Sequence, residues 1–386
     1  MRRGTFVRWG VPIAAAAVIG GAIGAGPVIA AVSGDPVLPE RSAQQLLADA
    51  TRATEKSEGM PPMSGTVQQT ASLGLPALPS GGEGSPLSLL SGSHEVKLWY
   101  GDENKMRLAL PTQFNETNVI VNGDQVWYWN SDDNAAISIK HEGGDHPREE
   151  LPTPTPSVMT PDQVAQRFLE QVDESTTISV SNTAEVAGRP AYQLVLSPKD
   201  PASLVQEVRV ALDGELFMPL QVQVFAKGSA EPAFQVGFTQ LTLSAPAEEN
   251  FVFTPPPGAK VEEKTFGPSD VNREPVDGAE QTAADVKVRG EGWTAVAVLP
   301  ADSLTGQAEA GKGDAGDAGD AGDAGDDAGT RALLDSVLKS ATPVSGAWGS
   351  GKLIKTKLVT VLLTDDGRLL IGAVTPEEIV KAAGVQ

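Results

Sequence analysis

From His94 to Lys140 the chain runs through five short apolar-rich stretches: HEVKLWY (94–100), KMRLAL (105–110), TNVIV (117–121), QVWYW (125–129) and AAISIK (135–140). The connections between them are too short for a parallel arrangement, which needs a crossover of about a dozen residues or more. Asn122-Gly123-Asp124 is a tight hairpin signal, and GDEN (101–104) and NSDDN (130–134) are turn sequences. This part of the chain therefore folds as an antiparallel meander. Strands send alternate side chains to opposite faces, so Val126 and Tyr128 point one way and Trp127 and Trp129 the other. The meander thus carries bulky apolar groups on both faces.

The pattern continues on either side. Ser42 reads as the cap of a helix reaching about Thr54, with Leu46, Leu47 and Ala50 on one stripe. MSGTVQQTASL (63–73) reads as a strand, and 74–92, rich in Gly, Pro and Ser, as a loop. Thr160-Pro161 opens a second helix, with Gln163 completing a capping box and Val164, Phe168 and Val172 as its apolar stripe. Five further strands follow: TTISVS, PAYQLVLS, LVQEVRVAL, LFMPLQVQVFA and AFQVGFTQLTLS, with Asp213-Gly214 as a hairpin turn. In ENFVFTPPPGAKVEE (249–263) the three prolines are expected to end the sheet. Residues 40–263 then hold two helices and ten or eleven strands. Sequential strands with short turns favour one large antiparallel sheet, curled or closed, over a parallel α/β fold.

A linker at 264–284 leads to a small α+β domain at 285–386. Its elements are a strand at GWTAVAVLP (292–300), an acidic low-complexity loop at 311–329, a helix at TRALLDSVLKSA (330–341), a hairpin turning at Asp365-Asp366-Gly367, and a final helix opened by Thr375-Pro376-Glu377-Glu378.

Charge and composition remove several functions. A net charge of -21 and a pI near 4.5 repel phosphate backbones, so no nucleic-acid partner is expected. With no cysteine there is no disulfide, thiolate chemistry or Cys-based zinc site. Gly346-Ala-Trp-Gly-Ser-Gly-Lys352 has phosphate-loop spacing. Leu353 stands where Ser or Thr is needed, however, and a strand-like run follows instead of a helix, so it reads as a glycine-rich turn. The Asp residues of the GDA repeat fall three apart, unlike a calcium loop, and read as a solvated linker. His141, Glu142, Asp145 and His146 cluster in a loop with no rigid element beneath them, and no metal site is assigned there. No nucleophile–base pattern is present, so no catalytic residue and no cofactor are assigned, and a secreted hydrolase is the weakest alternative.

Arg2, Arg3 and Arg8 precede an uncharged run, Val11 to Val32, the pattern of an export signal. Residues 1–32 are a signal peptide cleaved before Ala31 or a retained membrane anchor, and the mature protein is extracytoplasmic, secreted or anchored.

Two readings of the sheet remain open. In one, the apolar residues form an ordinary core under two helices. In the other, the sheet is an open, strongly curved antiparallel half-barrel, with the helices as a lid over an apolar cavity that takes acyl chains or similar ligands. The candidate lining is Val96 and Leu98; Met106, Leu108 and Leu110; Trp127 and Trp129; Ile137 and Ile139; Leu194 and Leu196; Val222 and Val224; and Phe234, Val236 and Phe238. Leu46, Leu47, Val164 and Phe168 are the candidate lid.

VNGDQVWYWNSDDNAAISI resembles the hairpin of the bacterial lipoprotein carrier (LolA-type) family, FVFTPPPGAKV resembles that family's closing segment, and EVKLWYGDENKMRLAL resembles its preceding strand pair. The resemblance covers 40–263 and implies a half-barrel closed by helices, extracytoplasmic and non-enzymatic, that carries or senses lipid or lipoprotein acyl chains. It implies that Trp127 lines or braces the cavity, with Tyr128 shielding the other face. The turn Gly101-Asp102-Glu103-Asn104 departs from the carriers, which have a basic residue and a proline there. A related group, the RseB/MucB-type regulators of envelope stress, pairs this barrel with a smaller C-terminal domain, whose start GWTAVAVLP resembles. That implies an alternative role: a sensor whose C-terminal domain binds a membrane-protein partner such as an anti-sigma factor.

Overall fold

The protein is described by a computed structural model covering residues 38–56, 60–74, 91–141, 175–266, 287–301 and 340–384. The expected signal or anchor segment, the helix at 160–172 with Val164 and Phe168, the acidic repeat and nearly all of the helix at 330–341 lie outside the described residues, as does the His141–His146 cluster beyond His141.

The first sheet has twelve strands in the order β12-β6-β5-β4-β3-β2-β1-β11-β10-β9-β8-β7. Its strands are β1 (Met63–Ser72), β2 (Ser91–Asp102), β3 (Lys105–Pro111), β4 (Glu116–Asn122), β5 (Gln125–Asn130), β6 (Ala135–His141), β7 (Thr176–Val186), β8 (Arg189–Pro198), β9 (Val205–Asp213), β10 (Pro219–Ala226), β11 (Pro232–Thr242) and β12 (Lys260–Phe266). Each of β2 to β6 lies beside its sequence neighbour, as the short turns require. At the tightest turn Gly123 takes φ 61, and Asn122 pairs directly with Gln125.

Three sequence expectations are corrected. The prolines at 255–257 do not end the sheet: the chain resumes at Lys260 as β12, which pairs parallel with β6 and makes the twelfth strand. Parallel pairing is possible because 243–259 is a long crossover laid over one face. Asp213-Gly214 is not a two-residue hairpin; a loop at 214–218 separates β9 from β10. Asp213 caps that loop by accepting the amides of Glu215 (2.9 Å) and Leu216 (2.8 Å), and the left-handed residue is Phe217, at φ 56. The stretch at 292–300 is not a single strand, since Gly292–Thr294 forms a 3₁₀ turn before β14 begins.

The sheet is open and strongly curved. β7 and β11 stand four places apart in the sheet order, yet their Cα atoms come within 8 Å. Val186 of β7 packs with Leu220 of β10, flanked by Phe238 and Leu241 of β11. The sheet therefore bends toward the face that carries Leu220, Phe238 and Leu241, which is its concave side. Gly65 of β1 lies on this face. A Cβ there would come within 3.0 Å of the Phe238 ring and 2.7 Å of the Gln240 carbonyl, so glycine lets β11 press close.

Helix α1 (Ala43–Lys56) starts where Ser42 predicts. Ser42 and Gln45 form a reciprocal capping box, the Gln45 amide donating to Ser42 Oγ (3.2 Å) and the Ser42 amide to Gln45 Oε1 (2.9 Å). Its approach is tied to the sheet: Leu38 N–H donates to the Asn182 carbonyl (3.0 Å) and the Tyr192 hydroxyl to the Pro39 carbonyl (2.9 Å). The Arg41 guanidinium lies 5.1 Å from the Phe217 ring centroid and 6.0 Å from that of Tyr192, and its charge pairs with Asp49.

A second sheet has the order β13-β14-β18-β17-β16-β15. It comprises β13 (Lys287–Arg289), β14 (Val296–Pro300), β15 (Thr342–Gly346), β16 (Gly349–Lys355), β17 (Thr360–Thr364) and β18 (Arg368–Gly372). Helix α2 (Pro376–Gly384) sets Ile379 and Ala383 into a core with Val296, Val298, Leu353, Leu362 and Leu370. The last carbonyls of α2 are capped from the sheet, Ala382 O by Arg289 (2.7 Å) and Ala383 O by Arg368 (2.9 Å). The phosphate-loop lookalike is the β15–β16 hairpin, as its strand-like continuation predicts.

Candidate functional site

Direct cross-strand pairing assigns every side chain of the large sheet to a face. One row reads Leu98, Leu108, Val119, Tyr128 and Ile137 across β2 to β6. It shares its face with Val96, which pairs with Val67, which in turn pairs with Phe238. The face continues as Val236, Val222, Val210, Leu194 and Val180 from β11 to β7, and in parallel as Phe234, Val224, Val208, Leu196 and Ile178. This is the concave face; the paired Gln69 and His94 interrupt it beside Val236, and the rows just named are otherwise apolar.

Its two halves differ in degree. Over β7–β11 and β1, Val67, Val222 and Val236 are 1–3% exposed and pack with Val208, Val210, Phe234 and Phe238, which are themselves half-buried. Leu194, Leu196 and Val96 are buried as well, while Leu98 joins Met63 and Tyr100 against Met106 and Leu108. Over β3–β6, Met106, Leu108, Leu110, Val119, Val121, Ile137 and Ile139 are only half-buried, and Tyr128 is 38% exposed. Leu46 of α1 is fully buried and Leu47 half-buried.

Trp127 and Trp129 do not belong to this face. Trp127 pairs with Ser138 and Ile120, and Trp129 with Ala136 and Asn118, all on the convex side. Register decides this, because two residues adjacent in a strand cannot share a face. The crossover that follows β11 lies over the two indoles. The Phe253 ring is 5.3 Å from Trp127 and 5.8 Å from Trp129, centroid to centroid, and Phe251 is 2% exposed. A Cβ on Gly101 would stand 3.3 Å from the Phe251 ring, so a small residue is needed where the crossover passes. Lys105 pins the segment through Glu248, Nζ to Oε2 2.7 Å. The tryptophans thus fasten a strap to the outside of the sheet, and it is Tyr128 that faces inward.

Pattern reading missed Tyr128, Val119, Val121, Val67, Ile178, Val180, Val208 and Val210 as concave residues. The two-residue turn at Gly123-Asp124 would have found the first three, since pairing Asn122 with Gln125 sets Val119 opposite Tyr128.

The second unit is attached at one rim of the hollow, the rim formed by the turns at 112–115, 131–134, 199–204 and 227–231. Leu204 N–H donates to the Ala373 carbonyl (2.8 Å), Thr375 N–H to the Ala202 carbonyl (2.8 Å) and Lys357 N–H to the Leu73 carbonyl (2.7 Å). Trp293 Nε1 donates to Thr176 Oγ1 (2.7 Å). Among the described residues there is no cluster of three or more His, Asp or Glu side chains placed to hold a metal, and no helix is long and apolar enough to cross a membrane.

Fold and face together define a class: a mainly β protein, an open half-barrel with a half-open apolar concavity, joined to a smaller α+β unit. No family model and no curated protein sequence matches the chain. Among solved structures it is similar to MucB in the Pseudomonas aeruginosa MucA/MucB complex, at 15% identity and a TM-score of 0.39, covering 88% of this chain and 96% of that one. MucB in complex with MucA(peri) gives 15% and 0.38, covering 87% and 97%. A LolA superfamily protein from Nitrosomonas europaea gives 11% and 0.20, covering 55% and 99%.

Proposed function

We propose that this is an exported, non-catalytic protein that binds the acyl chains of a lipid or lipoprotein on the concave face of its large sheet. The observation that supports this most is the openness of one continuous apolar face. Val67, Val222 and Val236 at its middle are buried, while Val208, Val210, Val224 and Phe234 on one side and Met106, Leu108, Leu110, Ile137 and Ile139 on the other stay half-open beneath the curve of the sheet. An acyl chain laid there removes apolar area from water at about 25 cal/mol per Å² and asks for no charged partner. The acidic composition favours solubility, and the basic, then uncharged, N-terminal sequence supports extracytoplasmic placement. Native mass spectrometry of the protein purified from its own cell envelope tests this, with co-purified lipid expected as added mass. Lipid-free protein from that source, unable to take up added lipid, refutes it.

A second reading, in which the smaller unit presents the lipid-bound state to a membrane-protein partner, draws on the attachment just described. The backbone bonds of Leu204, Thr375 and Lys357 fix that unit to the rim of the hollow, as a sensor with one input and one output requires. Pull-down of a membrane protein by the full chain, lost on deleting 285–386 while lipid binding persists, distinguishes it from a simple carrier.

A further inference from the structure

The β16–β17 turn of the second unit reaches into the first. Thr356 makes it stiff: its Oγ1 accepts the Val359 amide (2.9 Å) and donates to the Val359 carbonyl (2.9 Å), and its own amide donates to that carbonyl (2.8 Å). Lys357 then holds the turn against the end of β1, through its amide to the Leu73 carbonyl (2.7 Å) and its Nζ to Ser72 Oγ (2.9 Å). The next residue is Leu358. It is 9% exposed and sits in a cluster with Val205, Ala226 and Ala233, against which Leu73, Val208, Val224 and Phe234 also pack.

Val208, Val224 and Phe234 are concave-face residues, paired with one another in a single row. The row Val210, Val222 and Val236 lies two residues further along each strand, about 7 Å deeper into the hollow. Leu358 therefore closes the end of the apolar face, and it comes from a different sheet. An ordinary inter-unit contact would join two outer surfaces. Here a rigid turn carries one branched side chain to the rim end of the concave face.

We infer that Leu358 is an end stop that sets the length of acyl chain the hollow accepts. This rests on the proposal that the concave face binds acyl chains. A chain entering over β3–β6 and running toward this rim meets the Leu358 side chain and the Thr356-braced turn behind it. Chains that reach no further than the stop bury all of their carbons. Longer ones leave their ends in water or must lift the second unit from the rim.

The test uses the full-length chain and a series of saturated fatty acids from lauric to arachidic, with the affinity of each measured by titration. For wild type, affinity is expected to rise with each added methylene, by about fourfold where the methylene is buried, and then to level off. Leu358→Ala is expected to move the levelling point to longer acids, with a gain of about tenfold or more for the first acid beyond the wild-type limit. Leu358→Phe is expected to move it to shorter ones. Leu362→Ala is the control, since it weakens the second unit's own core on its helix-covered side and is expected to leave the levelling point in place. The same levelling point in wild type, Leu358→Ala and Leu358→Phe, all folded by circular dichroism, overturns the end stop and leaves acyl binding standing. A shift in Leu362→Ala equal to that in Leu358→Ala overturns it too, because loosening the unit is then the cause. Wild type that binds none of the acids, even after its own lipid has been stripped, overturns acyl binding and the end stop with it.

Discussion

The indole of Trp127 and the ring of Phe253 meet 5.3 Å apart on the convex side of the large sheet, and Tyr128, the next residue, points to the concave side. The pair fastens the crossover that lets β12 return beside β6. Trp127→Ala should therefore act on stability and not on ligand. It removes a half-buried indole and its aromatic contact, a loss of about 2 kcal/mol. Chemical denaturation should show the lowered midpoint, while the lipid carried per folded molecule stays at the wild-type level. A folded Trp127→Ala protein stripped of lipid would place the binding surface on the wrong side of the sheet.

Substitution on the other face should do the reverse. Leu108 pairs with Leu98 and Val119 on the concave side, in the half that stays partly open. Leu108→Glu places a carboxylate where acyl carbons would lie, and a charge buried without a partner is disfavoured by several kcal/mol. Because the site reaches water when empty, the free protein should lose only about 1 kcal/mol, and lipid uptake should fall by about a hundredfold. Fluorescent fatty-acid displacement measures the second effect and thermal melting the first. Unimpaired uptake would count against this half as the binding surface.

These two variants show what could be read from the sequence and what could not. Alternation, turn residues and Ser42 are local signals, so the meander, helix α1 and the β17–β18 hairpin are legible in the sequence, whereas β15 and the turn at 356–359 that divides the run 352–364 into β16 and β17 are not. The sides of the sheet were also calculable. Each tight turn fixes a pairing, and counting from Asn122 and Gln125 separates Trp127 from Leu108. Grouping apolar residues as one lining, without that count, put the tryptophans inside. The rest depends on contacts remote in sequence. The pairing of β12 with β6 joins residues more than a hundred positions apart, and the seating of Leu358 beside Phe234 joins two different sheets. No local propensity encodes either. At Phe217 a bulky residue takes a left-handed backbone where Gly214 was the expected turn former, and the compensation comes from its stacking on Tyr192 with Arg41 across both rings.

The loop that holds Phe217 is governed by an ion pair. Asp213 is fully buried, and Arg189 reaches it through Nε and through Nη2, the latter at 3.1 Å. Burial alone pushes the Asp213 carboxyl up, but the Arg189 bond, the Leu216 and Glu215 amides and the guanidinium charge outweigh it and hold it below the ordinary carboxylate range. A depressed folded value means that this group's contribution is complete above its unfolded pKa of about 3.9 and is lost as the pH falls through the lower folded value. Arg189 is shifted upward and stays charged throughout. Asp213→Asn should cost about 2 kcal/mol at neutral pH by leaving the guanidinium without its counter-charge. The variant's stability curve should then lack the wild-type's fall below about pH 4 that belongs to this group. Urea titrations at neutral pH and on the acid limb compare the two slopes, and equal slopes would assign the acid sensitivity to other carboxylates.

Helix α1 offers a last test, because its anchorage is concentrated at one end. Ser42 and Gln45 cap each other, Leu38 and Pro39 are bonded to Asn182 and Tyr192, and Arg41 bridges Asp49 and the Tyr192–Phe217 stack. Leu46 and Ala48, one turn further on, are fully buried. Ser42→Ala removes the side-chain acceptor for the Gln45 amide and should cost about 1 kcal/mol, felt within the helix's first turns and not across the sheet. Hydrogen exchange should show faster amides at 43–48, with the strands unchanged. If α1 covers the hollow as a lid, the same substitution should raise the rates of fatty-acid uptake and release together and leave the affinity within about twofold, since a lid that opens more often speeds both directions. Faster exchange in α1 with neither rate altered would make this helix a fixed brace at the rim, with the ligand entering over β3–β6 without passing it.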